Sequence, residues 1–157
     1  RGAAGPAHLR LGDVYRDLGL LNSAADRYRA ALQADRRAAA ARGRLVHCLV
    51  AAGELARAES RCREFLAEAE TARLYLALAA ALEGQERSQE ALAALDRAVA
   101  IEPRSADAHA ERAGLLCRLG ENEAAMEASR TALGIDADNA VAHRWLAVAS
   151  AEREDFM

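Results

Sequence analysis

The chain has 157 residues, 52% of them hydrophobic but only 4% aromatic, and Ala, Leu, Arg and Glu dominate. All four are strong helix formers, so an all-α chain long enough to bury a core is expected. A net charge of −3 excludes a strongly basic nucleic-acid binder. The longest apolar run, nine residues from Leu74 to Leu82, falls well short of the roughly 20 that cross a bilayer.

Residues 1–4 read as a lead-in of small residues without regular structure, and neither Pro6 nor Pro103 needs to fall inside a helix. From Ala7 to Leu18 an apolar stripe of Leu11, Val14, Tyr15 and Leu18 has the spacing of a buried helix face, and Gly19 stands where a left-handed cap ends the helix. Asn22 and Ser23 are candidate caps for a second helix, whose inner face is Ala24, Tyr28, Ala31 and Leu32. A second pair begins at Ala39, with Leu45, Val46 and Leu49 inward, Gly53 as the stop, and Leu55, Ala58, Cys62, Phe65 and Leu66 on the partner helix. A third pair begins near Ala72 with Tyr75, Leu78, Ala79 and Leu82, then Ala91, Leu95, Ala98 and Val99. Its glycine, Gly84, sits two places earlier than in the other turns. A fourth begins at Ala106 with His109, Ala113 and Leu116, stops at Gly120, and continues with Ala125, Ser129, Ala132 and Leu133. A last first-helix runs from Ala140 to about Glu152, and its partner would start near Phe156.

These registers start at Gly5, Ala39, Ala72, Ala106 and Ala140, in steps of 34, 33, 34 and 34 residues. The spaced residues repeat with them. The first repeat has Leu11, Gly12, Tyr15, Ala24, Tyr28 and Ala31, and the third has Leu78, Ala79, Leu82, Ala91, Leu95, Ala98 and Pro103. The fourth has Ala113, Leu116, Gly120, Ala125, Ala132 and Ala137. The second is weaker, with Val46, Leu49, Gly53, Ala58 and Cys62, and Phe65 where alanine is usual. In period and pattern the chain resembles the tetratricopeptide repeat family over nearly its whole length, as four repeats and half of a fifth.

The resemblance implies a right-handed α-solenoid of antiparallel helix pairs, with repeats over residues 5–38, 39–71, 72–105 and 106–139 and a half-repeat over 140–157. Small residues at the eighth and twentieth positions, such as Gly12 with Ala24 and Ala113 with Ala125, would let paired helices approach closely. Trp145 and Leu146 are candidate contacts capping the fourth repeat.

No phosphate loop, metalloprotease motif or nucleophile elbow is present, and without lysine a Walker A motif is impossible. No catalytic residue, metal site or cofactor is expected. His8, His109 and His143 share the fourth position of their repeats and read as packing residues. Cys62 reads as a core residue, Cys48 as structural, and Cys117 as a candidate for the groove lining. The carboxylates, Glu59 near Arg63 among them, read as solubilising outer faces. An odd count of widely spaced cysteines fits a reduced, intracellular setting, and the cytoplasm is expected. The chain begins at Arg1 without a signal peptide and is read as a segment of a longer protein.

In this family the first helices line a concave groove. Carried over by position, a partner-binding set emerges: Arg10, Arg44, His47, Arg73, Leu76, Ala77, Ala80, Arg118 and Arg144. Arg10, Arg44, His47 and Arg73 would form a cationic strip beside an apolar floor of Leu76, Ala77 and Ala80, suited to a peptide with an acidic residue near an apolar anchor. Simple solvation of these side chains is the rival reading. The clamp that some members use for chaperone tails is not expected, because Leu9, Asp13 and Ala77 stand at its positions beside Arg44 and Arg73. The expected function is a protein-interaction scaffold that binds a protein or peptide, with no nucleic-acid or membrane partner. The alternatives are a docking arm of a larger enzyme and a solenoid that self-associates through the end around Trp145.

Overall fold

A computed structural model describes residues 4–154, with side chains through residue 152. Among the described residues there are nine helices and no strand. They fall into two compact units, residues 1–85 and residues 86–157.

The first unit holds α1 (Ala4–Asp17), α2 (Leu21–Ala34), α3 (Ala39–Ala51), α4 (Leu55–Glu68) and α5 (Ala72–Glu83). Each helix packs on the next, and α3 also packs on α5. The second unit holds α6 (Ser88–Ile101), α7 (Ala106–Arg118), α8 (Asn122–Ile135) and α9 (Ala140–Glu154), with each helix on the next and α7 on α9. Within each unit, short turns make consecutive helices antiparallel.

The turns inside the pairs share one chemistry. Gly19, Gly53 and Gly120 take positive φ, and the following amide reaches back to the carbonyl five residues earlier, as Leu20 does to Tyr15 at 2.8 Å. In the third pair the left-handed position belongs to Glu86, with φ of 61°. The early glycine there has another use. A Cβ on Gly84 would lie 2.7 Å from the Leu55 side chain, so bare backbone is what admits Leu55.

The turns between pairs use side chains. Thr71, Ser105 and Asn139 cap α5, α7 and α9, accepting from the amides of Leu74, Ala108 and Ala142. At α3 the corresponding residue is Ala38, which has no side chain to do this. A second tie recurs six residues apart: His109 Nε2 lies 3.0 Å from the Pro103 carbonyl, His143 Nε2 lies 2.9 Å from that of Ala137, and Arg42 donates to that of Arg36 at 2.7 Å. Fourth-position side chains therefore fasten the exit loop to the next helix. His143 is exposed and His109 only half-buried, so this hydrogen bond stands where a packing role was expected.

The core is built from small residues. Ala24, Ala58, Ala91 and Ala125 are completely buried, as are Tyr28 and Cys62. A Cβ on Gly12 would lie 2.5 Å from the Tyr28 ring, so glycine there sets the close approach of α1 to α2. In the second unit Trp145 and Leu146 pack on a core of Ala113, Leu116, Cys117, Ala125, Met126, Ala128 and Ala149.

Several expectations need correction. Ala4 and Gly5 belong to α1 and Gly5 is buried, while the rest of the lead-in, residues 1–3, lies outside the described residues, as does Phe156. Pro6 stands in the first turn of α1, where its missing amide proton has no intrahelical acceptor. Asn22 and Ser23 are inside α2, whose cap residue is Leu20. Leu11, Val14 and Leu18 are not a buried face, being 37%, 53% and 66% exposed. Glu59 is buried rather than on an outer face, and it accepts from Gln85 and Arg63, both at 2.8 Å.

Candidate partner-binding surfaces

In the first unit, Arg10 is exposed on α1, His47 on α3 and Arg73 on α5. Beside Arg73, Leu76 and Ala77 are half-buried and Ala80 is exposed. Arg73 crosses onto α3, where a Cβ added to Gly43 would come within 3.0 Å of its Cδ. The long side chain thus rests its methylenes on bare backbone and keeps its charged end outward. Among the described residues, neither Arg10 nor Arg73 has an ion-pair partner.

Arg44 is different. Its Nη1 lies 2.5 Å from Asp13 Oδ2, and the other Asp13 oxygen accepts from the Tyr28 hydroxyl at 2.8 Å. Arg16 stands 3.4 Å from the same carboxylate. Arg44 is therefore tied into a network that joins α1, α2 and α3, and its charge is largely spent on Asp13. Burial and the bond to Asp13 push the Tyr28 hydroxyl well above its ordinary pKa. Burial also raises the Cys48 thiol. A concavity of about 710 Å³ lies between the α2–α3 and α4–α5 loops, lined by Arg36, Arg37, Arg42 and Glu68 among others. Its buried Arg42 is paired with Glu68, bonded to the Arg36 carbonyl and stacked 5.1 Å over Phe65, so it acts as a latch.

In the second unit, Arg118 and Arg144 come together over one ring. Their guanidinium carbons lie 5.5 and 4.6 Å from the Trp145 centroid. The indole lies on Gly114, where a Cβ would be 2.5 Å from its Nε1. Trp145 is absent from the groove set read from the sequence, although Arg144 beside it in the chain is included. The signal that points to it is Gly114, three residues after Glu111, which leaves room for a large neighbour. Cys117 is buried, not a lining residue, and its thiol is raised first by burial and then by Glu152, whose carboxylate is 4.0 Å away.

Among the described residues, no three His, Cys, Asp or Glu side chains cluster to hold a metal ion. No described helix is long and apolar enough to cross a membrane.

Residues 5–37 and 72–105 match the model of the tetratricopeptide repeat. Those two stretches are tetratricopeptide repeats. No curated protein matches the chain. Among solved structures, TTC0263, a thermophilic TPR protein of Thermus thermophilus, superposes with a TM-score of 0.82 at 23% identity, covering 96% of this chain and 83% of that one. The MamA protein superposes at 0.74 and 23% identity, with coverage of 98% and 85%. YrrB, a TPR protein with an unusual peptide-binding site, superposes at 0.67 and 22% identity, with coverage of 94% and 76%. At these identities the likeness is one of fold, and it makes the chain an α-solenoid of tetratricopeptide type.

Proposed function

We propose that the chain is a tetratricopeptide interaction scaffold that takes up a peptide or partner segment on the first-helix face of its repeats. The observation that supports this most directly is Arg73, laid across Gly43 with its charge outward beside Leu76, Ala77 and Ala80. A cation next to a shallow apolar floor suits a partner carrying a carboxylate close to an aliphatic residue. Arg10 and His47 extend the same chemistry along α1 and α3. Arg44 contributes structure more than recognition, because Asp13 neutralises it.

The test is anisotropy of a labelled acidic-aliphatic peptide against the wild type and the Arg10→Glu/Arg73→Glu double variant. Both side chains are exposed, so helicity should stay constant while affinity falls at least tenfold. Equal binding by the two proteins would overturn the assignment. Arg44 is left alone in this test, because reversing its charge would break the pair with Asp13 and confuse folding with binding.

A further inference from the structure

The loop between α2 and α3 and the start of α3 bring three arginines to one concavity. Arg36, Arg37 and Arg42 line the space of about 710 Å³ between the α2–α3 and α4–α5 loops, and Glu68 is the one carboxylate among its described lining residues. Glu68 is already divided, with one oxygen paired to Arg42 and the other 3.5 Å from Arg36. Arg37 is exposed and has no ion-pair partner among the described residues. The neighbouring carboxylates turn elsewhere: Asp35 accepts from the Arg37 amide and Glu70 from the Tyr75 hydroxyl, both at 2.9 Å. The wall therefore carries three cations against one anion. Arg42 is the member that is held ready. It is only 6% exposed and stacked on Phe65, and its bonds use two of its three nitrogens. Nε and Nη2 reach the Arg36 carbonyl and Nη2 also reaches Glu68, while Nη1 donates to no described residue. A guanidinium fixed by its surroundings with one nitrogen unspent is a preorganised donor for an oxyanion. The amide end of α3 adds to it. Ala39 belongs to the wall, and Ala38 lays no side chain over the helix end, where Thr71, Ser105 and Asn139 cap α5, α7 and α9.

We propose that this concavity binds a small phosphate monoester, held by Arg42 Nη1, Arg37 and the amide end of α3. A phosphoryl group brings close to two negative charges and three acceptor oxygens at neutral pH. That matches the two cations left after Glu68 is counted, whereas a carboxylate would neutralise only one. The space has the size of a small-molecule site, larger than inorganic phosphate fills, and Ala69 and Leu74 give its wall an apolar share for the organic part. None of Arg10, His47 and Arg73 is among its described lining residues, so this site stands apart from the peptide surface proposed above.

The experiment is titration with glycerol 2-phosphate, in chloride buffer at constant ionic strength, followed by the amide NMR signals of Ala39, Ala40 and Arg42. In the wild type these signals should move saturably in the millimolar range or below. Arg37→Gln should weaken binding about tenfold, the effect of losing one charge-assisted hydrogen bond. Ala38→Asp supplies the missing cap and sets a carboxylate at the same amides, so it should raise Tm and abolish binding. A folded Ala38→Asp protein that still binds as the wild type does overturns the proposal, as does a wild type whose signals do not move. Equal affinity for inorganic phosphate assigns the site to the free ion and overturns the monoester. The Arg10→Glu/Arg73→Glu protein should bind glycerol 2-phosphate normally. Loss of binding there assigns the anion to the first-helix face and overturns this site, while peptide binding by that face is judged by its own test.

Discussion

Tyr28 donates its hydroxyl proton to Asp13 across the interface of α1 and α2, at 2.8 Å, while Arg44 of α3 holds the other carboxylate oxygen. Asp13 is thus engaged in joining three helices. Tyr28→Phe keeps the ring that fills the space beside Gly12 and removes only this bond. The expected loss is about 1.5–3 kcal/mol in urea unfolding, the range for a hydrogen bond to a charged group. A loss under a few tenths would mean that Asp13 answers to Arg44 alone.

Glu86 occupies the left-handed position that glycine holds in the other three turns. A non-glycine residue there costs roughly 1–2 kcal/mol, so Glu86→Gly should stabilise the chain by about 1 kcal/mol after the added freedom of the unfolded glycine is subtracted. A higher Tm with unchanged helicity is the expected outcome. A lower Tm would show that the Glu86 side chain makes a compensating contact.

Ser129 is fully buried, and its hydroxyl has no hydrogen-bond partner among the described residues. Tyr28, Cys62 and Leu95 stand at the same place in the other repeats. Ser129→Ala relieves the desolvated hydroxyl and should raise stability by about 1 kcal/mol. A destabilisation of that size would instead reveal an unrecognised acceptor.

Gly114 carries the indole of Trp145. Gly114→Ala pushes a methyl into the ring, at a cost of roughly 1–3 kcal/mol as overpacking. Trp145 is the only tryptophan of the chain, so tryptophan emission, excited where tyrosine does not absorb, reports on this site alone. The emission should move to longer wavelength in Gly114→Ala. An unchanged spectrum would show that the ring has somewhere else to go.

Burial raises the Cys62 thiol from 9.0 to about 12. An acid whose folded pKa is raised stabilises the fold fully below its unfolded pKa and loses that contribution as pH rises toward the folded value. Stability should therefore decline from about pH 9 upward, and Cys62→Ala should flatten that decline even though its cavity lowers stability overall. Unfolding midpoints at about pH 7.5, 9 and 10.5, which bracket the ordinary thiol range, decide this. Parallel pH profiles for the two proteins would count against it.

Most of the helical framework was legible because it is periodic. The helix starts at Ala39, Ala72, Ala106 and Ala140, the glycine stops and the buried alanines all recur at a fixed spacing, and recurrence can be read without coordinates. The candidate surface was legible only as a set of positions. That Arg44 is spent on Asp13, that Cys117 is covered, and that Trp145 gathers Arg118 and Arg144 are contacts that depend on how helices from different repeats meet, and no local pattern encodes them.

By itself the sequence determined the class of fold, the period, and which residues share a face of each helix, since backbone propensity and side-chain spacing act locally. Only the tertiary structure decided which of those faces is covered. Leu11 and Val14 hold the positions of Leu45 and Cys48, yet the first two are open and the second two closed. Burial depends on the neighbour that packs on a face, and a helix pattern carries no record of whether that neighbour is there.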